Sequence, residues 1–250
     1  MERFISNKKF KISIAIGLWI LLWELLAYYI NEEILLVSPL SVFQRILKEC
    51  KNPNFWIILG NTGLHIIIGF FLGGIFGLFI AILSFYQSFL RFFFRPMVLA
   101  IQGTPVVSFI ILILLWVPVS RLSIIISALI VFPIFYHNTL LGMENVTKDY
   151  LDMAKVFCWT ERKKWKYLYL PSLKLFLGSA MCTGVGLAWK AGLAAEVIGL
   201  PKGTVGEKIY ESKIFLDTEG LFAYTIVAVL LSFLMEGGLK KLWKPLKSNH

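Results

Sequence analysis

The segment YLDMAKVFCWTERKKWKYLYLP, residues 150–171, is a strongly polar stretch with long apolar segments on both sides. Its cations include Arg162, Lys163, Lys164 and Lys166, which fall within five residues. Such a run cannot lie in hydrocarbon, so the segment must face water on the side of the membrane where lysine and arginine collect, which is the cytoplasm. A polar internal loop in this position is predicted to be a surface for a soluble partner.

The composition is that of a polytopic, all-α membrane protein. Of the 250 residues, 58% are hydrophobic, which is more than a water-soluble domain needs for one core. The net charge of +10 comes from basic residues between apolar segments, where they set topology and meet anionic lipid headgroups. Membrane lipids are therefore expected around the chain, and nucleic-acid binding is not expected.

Hydropathy predicts six transmembrane helices within a single transmembrane domain, residues 1–250. The predicted helices cover residues 12–30, 60–85, 96–117, 121–142, 172–198 and 220–239. A basic cytoplasmic arm, residues 1–11, precedes the first helix, and a cytoplasmic loop, residues 149–168, separates the fourth from the fifth. Pro96 and Pro105 are predicted to kink the third helix, because proline removes a backbone hydrogen bond.

The distribution of basic residues predicts the orientation. With six spans, the larger share of lysine and arginine falls on one side, at residues 3–11, 91–95, 148–174 and 240–247. This asymmetry predicts that both termini lie in the cytoplasm.

Glycines recur in the second predicted span. Gly69, Gly73 and Gly77 are four residues apart and therefore lie on one face of a helix. Small residues at this spacing let a second helix backbone approach closely, so these glycines are predicted to form a helix-packing surface.

The sequence contains none of the common catalytic motifs. There is no phosphate-binding G-x-x-x-x-G-K-[ST], no H-E-x-x-H and no G-x-S-x-G, and the three histidines are far apart in the sequence. Cys50, Cys158 and Cys182 lack metal-ligand spacing. No catalytic residue and no metal ligand is therefore predicted.

The polar loop contains a pattern typical of a short amphipathic helix. Leu151, Ala154, Phe157 and Cys158 would share one face of such a helix. Two interpretations remain open at this point. The helix either rests on lipid headgroups, which the nearby cations favour, or fits a groove on a soluble subunit.

Three charged residues fall within or near predicted spans and are candidates for a solute pathway. Glu24 and Lys190 lie at similar depths, which suggests a contact within or between subunits, although Lys190 equally well snorkels to the interface or lines a wet pore. Glu196, near the outer interface, either lines the mouth of a path or caps local backbone.

The polar loop resembles the signature of one transporter family. The signature is E-A-A, three residues, G, nine residues, I-x-L-P, and it marks the inner-membrane permeases of binding-protein-dependent ABC importers. The spacing is matched by Asp152, Met153, Ala154, Cys158, Leu168, Leu170 and Pro171. Over nearly its whole length the chain resembles the permeases of the nitrate, taurine, aliphatic-sulfonate and thiamine-precursor group.

The resemblance implies a mechanism and a set of partners. The loop would hold a coupling helix that docks on a cytoplasmic ATP-binding subunit, which carries the ATP and Mg, while this chain binds no cofactor. Two copies would form the pore in a bacterial cell membrane, and an extracytoplasmic solute-binding protein would deliver a small anionic or thiamine-precursor-like solute. The residues implied in coupling are Leu151, Asp152, Met153, Ala154, Phe157, Cys158, Leu168, Leu170 and Pro171.

The loop departs from the signature at two positions. Cys158 replaces the glycine, and a left-handed cysteine would cost on the order of 1 kcal/mol, so the helix is predicted to continue past Cys158 and turn near Thr160. Asp152 replaces the glutamate and is one methylene shorter.

Two other functions are compatible with a membrane protein of this composition. A secondary transporter would use Glu24, Lys190 and Glu196 as ion or proton sites. A membrane enzyme acting on lipids would need a catalytic cluster, which the motif search does not find.

Overall fold

The computed structural model describes the backbone of residues 8–247 and the side chains of residues 11–238 and 241, and its regular secondary structure there is entirely helical. The helices are α1 (Lys8–Ile30), α2 (Pro39–Cys50), α3 (Pro53–Tyr86), α4 (Ser88–Gly103), α5 (Val106–Leu114), α6 (Val119–Glu144), α7 (Lys148–Val156), α8 (Glu161–Lys164), α9 (Leu170–Gly199), α10 (Val205–Ile214) and α11 (Thr218–Lys247). A π-helical turn, Trp165–Tyr169, joins α8 to α9. Most of the predicted cytoplasmic arm, residues 1–7, lies outside the described residues.

Within this described region, five helical segments are long and apolar enough to cross a membrane, and the pair α4 and α5 would make a sixth if it is one span. The five segments are Lys11–Ile30, Pro53–Tyr86, Val119–Glu144, Glu161–Gly199 and Thr218–Gly238. Several extend beyond the bounds predicted from hydropathy, because polar and proline-containing ends continue the helix outside the apolar window.

The third predicted span, residues 96–117, is two helices in the structure rather than one kinked helix. The axes of α4 and α5 differ by 105°, and Thr104 between them has extended dihedrals. Pro105 causes the break, because its ring excludes the preceding residue from the helical region and it has no N–H to donate. Pro96 stays within α4 without ending it.

Helix α6 is the centre of the bundle and packs between α3 and α9. The three α3 glycines face the α6 backbone: a Cβ atom at Gly73 would lie 2.2 Å from the carbonyl oxygen of Ala128. Gly69 and Gly77 oppose the carbonyl oxygens of Ile124 and Phe132 in the same way. Because Ile124, Ala128 and Phe132 are also four residues apart, the two helices remain in close contact over two turns.

Helix α9 packs against the opposite side of α6. Ser127 of α6 donates a hydrogen bond to the Ala188 carbonyl oxygen, 3.1 Å away, and a Cβ atom at Gly192 would lie 2.5 Å from the Ser127 hydroxyl. Ile66 and Phe70 of α3 reach the same region, so side chains of α3, α6 and α9 form one buried apolar core.

The short helix α2 begins with a side-chain cap and a proline. The Ser38 hydroxyl accepts a hydrogen bond from the Ser41 amide, and Pro39 occupies the first turn. Val42 is buried against Ala223 of α11, and Arg45 forms an ion pair with Asp217, 2.9 Å apart, which fixes α2 on the start of α11.

Helix α1 has little contact with the rest of the described chain. Of its residues 11–30 only Ala27 is buried, and it is attached near its carboxyl end, where Trp23 donates to the Val37 carbonyl oxygen and its ring lies 5.5 Å from that of Phe222. A long apolar face of α1 is therefore available to lipid or to another protein.

We expect Gly73→Ala to destabilise the protein by about 1–3 kcal/mol, because the added methyl group overlaps the Ala128 carbonyl and must push α3 away from α6. The measurement is the midpoint of thermal unfolding in detergent. Gly63→Ala is the matched control in the same helix, since no atom lies within 4 Å of its Cβ position. Equal midpoints for the two variants would contradict the close approach of α3 and α6.

Candidate functional site

The loop that contains α7, which we call the α7 loop, is fixed to the end of the bundle by residues on one side of this helix. Ala154 is completely buried, and Leu151 packs on the apolar cluster of Met143, Tyr169 and Leu173. This contact holds a short, polar helix in a defined position, although nine residues rarely form a stable helix in isolation.

The other side of the loop presents large apolar side chains to the surroundings. Tyr150, Val156 and Phe157, which we call the coupling face, are 56%, 80% and 69% exposed. They lie on a loop whose other exposed side chains are largely charged. A rigid helix that displays three uncovered apolar groups among charges has the character of a docking surface rather than of a solvated connection.

The predicted grouping of Phe157 and Cys158 with Leu151 and Ala154 is wrong. The α-helix ends at Val156, so the periodicity that placed all four on one face stops before Phe157. Phe157 and Cys158 are exposed, whereas Ala154 is buried and Leu151 is partly buried.

The prediction that the helix continues past Cys158 is also wrong. Cys158 has a φ of 49°, in the left-handed region. The Trp159 amide donates to the Ala154 carbonyl oxygen at 2.8 Å, and the Cys158 amide donates to that of Lys155 at 2.9 Å. These two bonds form a Schellman motif with cysteine in the position usually held by glycine, and they offset the cost of the left-handed residue.

The second half of the signature is the π-helical turn and the start of α9. Of the three matching residues, Leu170 is exposed and Leu168 and Pro171 are half-buried. Tyr169, the variable position of the signature, is buried, and its ring lies 5.7 Å from that of Phe85. Sequence reasoning missed Tyr169, because the signature leaves its position open.

Two ion pairs lie within the loop. Asp152 forms an exposed ion pair with Lys155, Oδ1 to Nζ 2.8 Å, and Glu161 forms one with Lys164 at 2.6 Å. Each pair is exposed or half-exposed and contributes little to stability.

At the opposite end of the bundle, Glu196 is fully buried and holds the turn that follows α9. Its Oε2 accepts hydrogen bonds from the Thr62 hydroxyl at 2.8 Å and from the Gly206 amide at 3.4 Å, while the Thr62 hydroxyl accepts from the Val205 amide at 2.9 Å. His65 approaches the other oxygen, with Nδ1 3.9 Å from Oε1. Glu196 thus caps the backbone at the start of α10.

The turn between α9 and α10, residues 200–204, is held by further hydrogen bonds. Asn61 donates to the Gly203 carbonyl oxygen at 3.0 Å, and the Gly203 amide donates to the Glu207 carboxylate at 2.6 Å. Leu200, with a φ of 56°, and Gly203, with a φ of 73°, supply the left-handed residues of the turn. The turn is therefore an ordered element joined to both α3 and α10.

The hypothesis of a Glu24 to Lys190 contact within one chain is wrong. Among the residues with described side chains, neither forms an ion pair within the chain, and both are exposed. Similar depth did not bring them together, because α1 stands apart from α9. A contact between two copies stays a prediction.

Comparison with known proteins gives a family and a fold. Residues 73–242 match the family described as the inner membrane component of binding-protein-dependent transport systems. A crystal structure of an amino acid ABC transporter with histidines superposes with a TM-score of 0.60 at 19% identity, covering 79% of this chain and 94% of that chain. This likeness concerns the fold alone.

Two curated relatives are similar over most of their length. The chain is 25% identical to the formylaminopyrimidine transport permease ThiX of Halalkalibacterium halodurans, over 88% of each chain. It is 22% identical to the taurine transport system permease TauC of Escherichia coli, over 91% of this chain and 85% of the relative. The family resemblance read from the sequence is confirmed.

We expect Cys158→Gly to stabilise the end of α7 by about 0.5–1 kcal/mol, because glycine adopts a positive φ without strain. Hydrogen–deuterium exchange of the Cys158 and Trp159 segment should slow roughly two- to fivefold. Cys182→Gly, inside α9, is the control and should lower stability by about 1 kcal/mol. Faster exchange in Cys158→Gly would show that the left-handed residue carries no strain.

We expect Thr62→Val to lower stability by about 2–3 kcal/mol, because the isosteric change leaves the Val205 amide and a Glu196 oxygen buried without their shared partner. The readouts are the thermal unfolding midpoint and protease cleavage within residues 199–204. Thr225→Val, which removes an exposed hydroxyl bonded within its own helix, is the control. Unchanged cleavage in Thr62→Val would mean that this hydroxyl does not hold the turn.

Proposed function

From the premise that this chain belongs to the inner membrane components of binding-protein-dependent transport systems, we propose that two copies of it form the solute pathway of an ATP-driven importer. The chain is a non-catalytic transport subunit of a multi-pass inner membrane system, and its family binds no cofactor. Permeases of this family work with a separate ATPase and a binding protein. The particular arrangement of this chain in such a system is our proposal.

The proposed topology has six transmembrane helices with both termini in the cytoplasm and a coupling helix, α7, between the fourth and fifth spans. Treating the bent pair α4 and α5 as one span gives an even number of crossings. Under this arrangement the α7 loop and the Arg91 and Arg95 segment lie on the cytoplasmic side, which agrees with the excess of basic residues there.

The observation that carries the proposal is the coupling face. Val156 at the end of α7 and Phe157 directly after it have the most exposed apolar side chains of the loop. Ala154 and Leu151 hold α7 on the bundle. A partner that covers them would bury apolar area, and the rigid attachment would transmit its movement to α9. The ATP-binding subunit is the soluble partner that this family requires.

The proposed second copy is supported by the uncovered apolar surface of α1. Of its residues 11–30 only Ala27 is buried in the isolated chain, and Glu24 on α1 and Lys190 on α9 are both exposed. A partner copy would cover part of this surface and could bring the two charges together, which would reduce the cost of holding each in the membrane.

The proposed solute is small and either anionic or similar to a thiamine precursor. The two relatives are named for the transport of formylaminopyrimidine and of taurine, and the sequence of this chain is similar to both.

The alternative of a secondary transporter has less support. Its proposed ion site at Glu196 is enclosed by hydrogen bonds to Thr62 and Gly206, and the family works with an ATPase. The alternative of a lipid-processing enzyme is excluded, since the family is a non-catalytic component.

We expect Phe157→Ser to weaken binding of the ATP-binding subunit roughly 10- to 100-fold, because a largely exposed aromatic side chain would lose its burial at the interface. The measurement is the dissociation constant of the purified permease and its ATPase in nanodiscs, and Val156→Ser should act in the same direction. Phe215→Ser is the matched control, since Phe215 is 78% exposed at the opposite end of the bundle.

The outcome that would contradict this assignment is equal ATPase affinity in Phe157→Ser, Val156→Ser and Phe215→Ser. If the first two variants instead changed only the partition of the chain between lipid compositions, the loop would be a headgroup-associated helix.

A further inference from the structure

Helix α4 carries a polar stripe along one side. Arg91, Arg95 and Gln102 are separated by four and seven residues, which puts them within about 40° of one another around the helix. The other side of α4 is apolar and exposed, with Phe89, Phe93 and Met97 as its large side chains. The helix therefore has one face suited to lipid and one that is not.

The polar stripe faces α6 across a groove of about 360 Å³. The groove is lined on the α4 side by Arg91, Arg95, Val98, Leu99 and Gln102, and on the α6 side by Tyr136, His137 and Leu140. Its volume is sufficient for a small solute of a few heavy atoms.

The charge of the groove is positive. Arg91 is paired with Glu144, which does not line the groove, whereas Arg95 forms no ion pair with any described residue. None of the described side chains that line the groove is a carboxylate. An occupant that balances this charge must be an anion or carry an anionic group.

Tyr136 supplies a second, independent indication of a ligand. The residue is only 4% exposed, lines the groove, and has a buried hydroxyl without a hydrogen-bond partner in the described structure. A buried hydroxyl normally has a partner, and a solute oxygen in the groove would provide one.

The groove extends along α4 from its basic end. Gln102 lies eleven residues beyond Arg91, which is about 16 Å along the helix at 1.5 Å per residue. Arginine at the membrane boundary can bind lipid phosphate, whereas in the proposed topology the exposed Gln102 amide lies further along the span and needs water or a polar occupant.

We propose that the groove between α4 and α6 is an anion-binding section of the solute path, and that the transported solute is a small oxyanion or carries a sulfonate or carboxylate group. Arg95 supplies the charge, and Tyr136, His137 and Gln102 supply hydrogen bonds. This inference rests on the proposed function, and it selects the anionic class from the two classes of solute considered there.

The test uses the charge selectivity of thiol modification at Gln102. The full-length permease, with its three native cysteines replaced and Gln102→Cys introduced, is placed in nanodiscs of neutral phosphatidylcholine. It is reacted with a sulfonatoethyl or a trimethylammonioethyl methanethiosulfonate. At Gln102→Cys we expect the rate with the sulfonate reagent, divided by the rate with the ammonium reagent, to be at least threefold higher than the same ratio at Asn54→Cys, which lies outside the groove.

The charge of Arg95 is tested in the same background. Arg95→Gln should reduce the preference for the sulfonate reagent by roughly threefold or more, and Arg95→Lys should keep most of it. Phe93→Cys on the apolar side of α4 should react slowly with both reagents, because lipid covers it. Free sulfate and taurine should slow modification of Gln102→Cys by the sulfonate reagent.

Three outcomes would overturn the proposal. One is a Gln102→Cys that reacts with neither reagent, and another is a preference that Arg95→Gln leaves unchanged. The third is a preference that disappears in phosphatidylglycerol nanodiscs, which would identify a lipid-headgroup site. ATPase binding by the Arg95→Gln variant is measured in parallel, and its retention separates a failed anion site from a failed importer assignment.

Discussion

The close approach of α3 to α6 is the contact on which the rest of the structure depends. In hydrocarbon there is no hydrophobic drive to press two apolar helices together, so their association relies on backbone proximity and packing. Three glycines of α3 allow that proximity, because they have no side chain that would collide with the α6 carbonyl groups: Gly69, Gly73 and Gly77. With α6 held in this way, α9 packs on its other side, and the loops at both ends of the bundle acquire fixed positions.

The two ends of the bundle use different chemistry. At the α7 end, apolar contacts of Leu151 and Ala154 hold the loop while leaving the coupling face uncovered. At the α10 end, the turn is held by hydrogen bonds centred on Glu196 and Thr62. A buried carboxylate would be costly without such donors, so its partners are part of what fixes the turn. One end thus leaves apolar side chains exposed, whereas the other end buries a hydrogen-bonded carboxyl group.

Features set by local sequence were predictable, and features set by tertiary contacts were not. The glycine spacing indicates the close packing on α3, and Ser38 is a residue type that favours the start of α2. Each signal depends on neighbouring residues along one helix. The contact of Glu196 with Thr62, 134 residues apart, leaves no local signal. Pro105 predicts a kink but not a 105° bend, and the backbone propensity of Cys158 does not reveal the two hydrogen bonds that hold it left-handed.

The continuous helical run of residues 161–199 has a mechanical consequence. Its 39 residues extend at most about 58 Å, with the signature residues Leu168, Leu170 and Pro171 in its first third and Glu196 near the other end. If the run pivots where Gly192 meets Ser127, the arm toward α8 is much the longer. A large movement at the α8 end would then become a small, strong displacement beneath the 200–204 turn, so that the helical run acts as a lever.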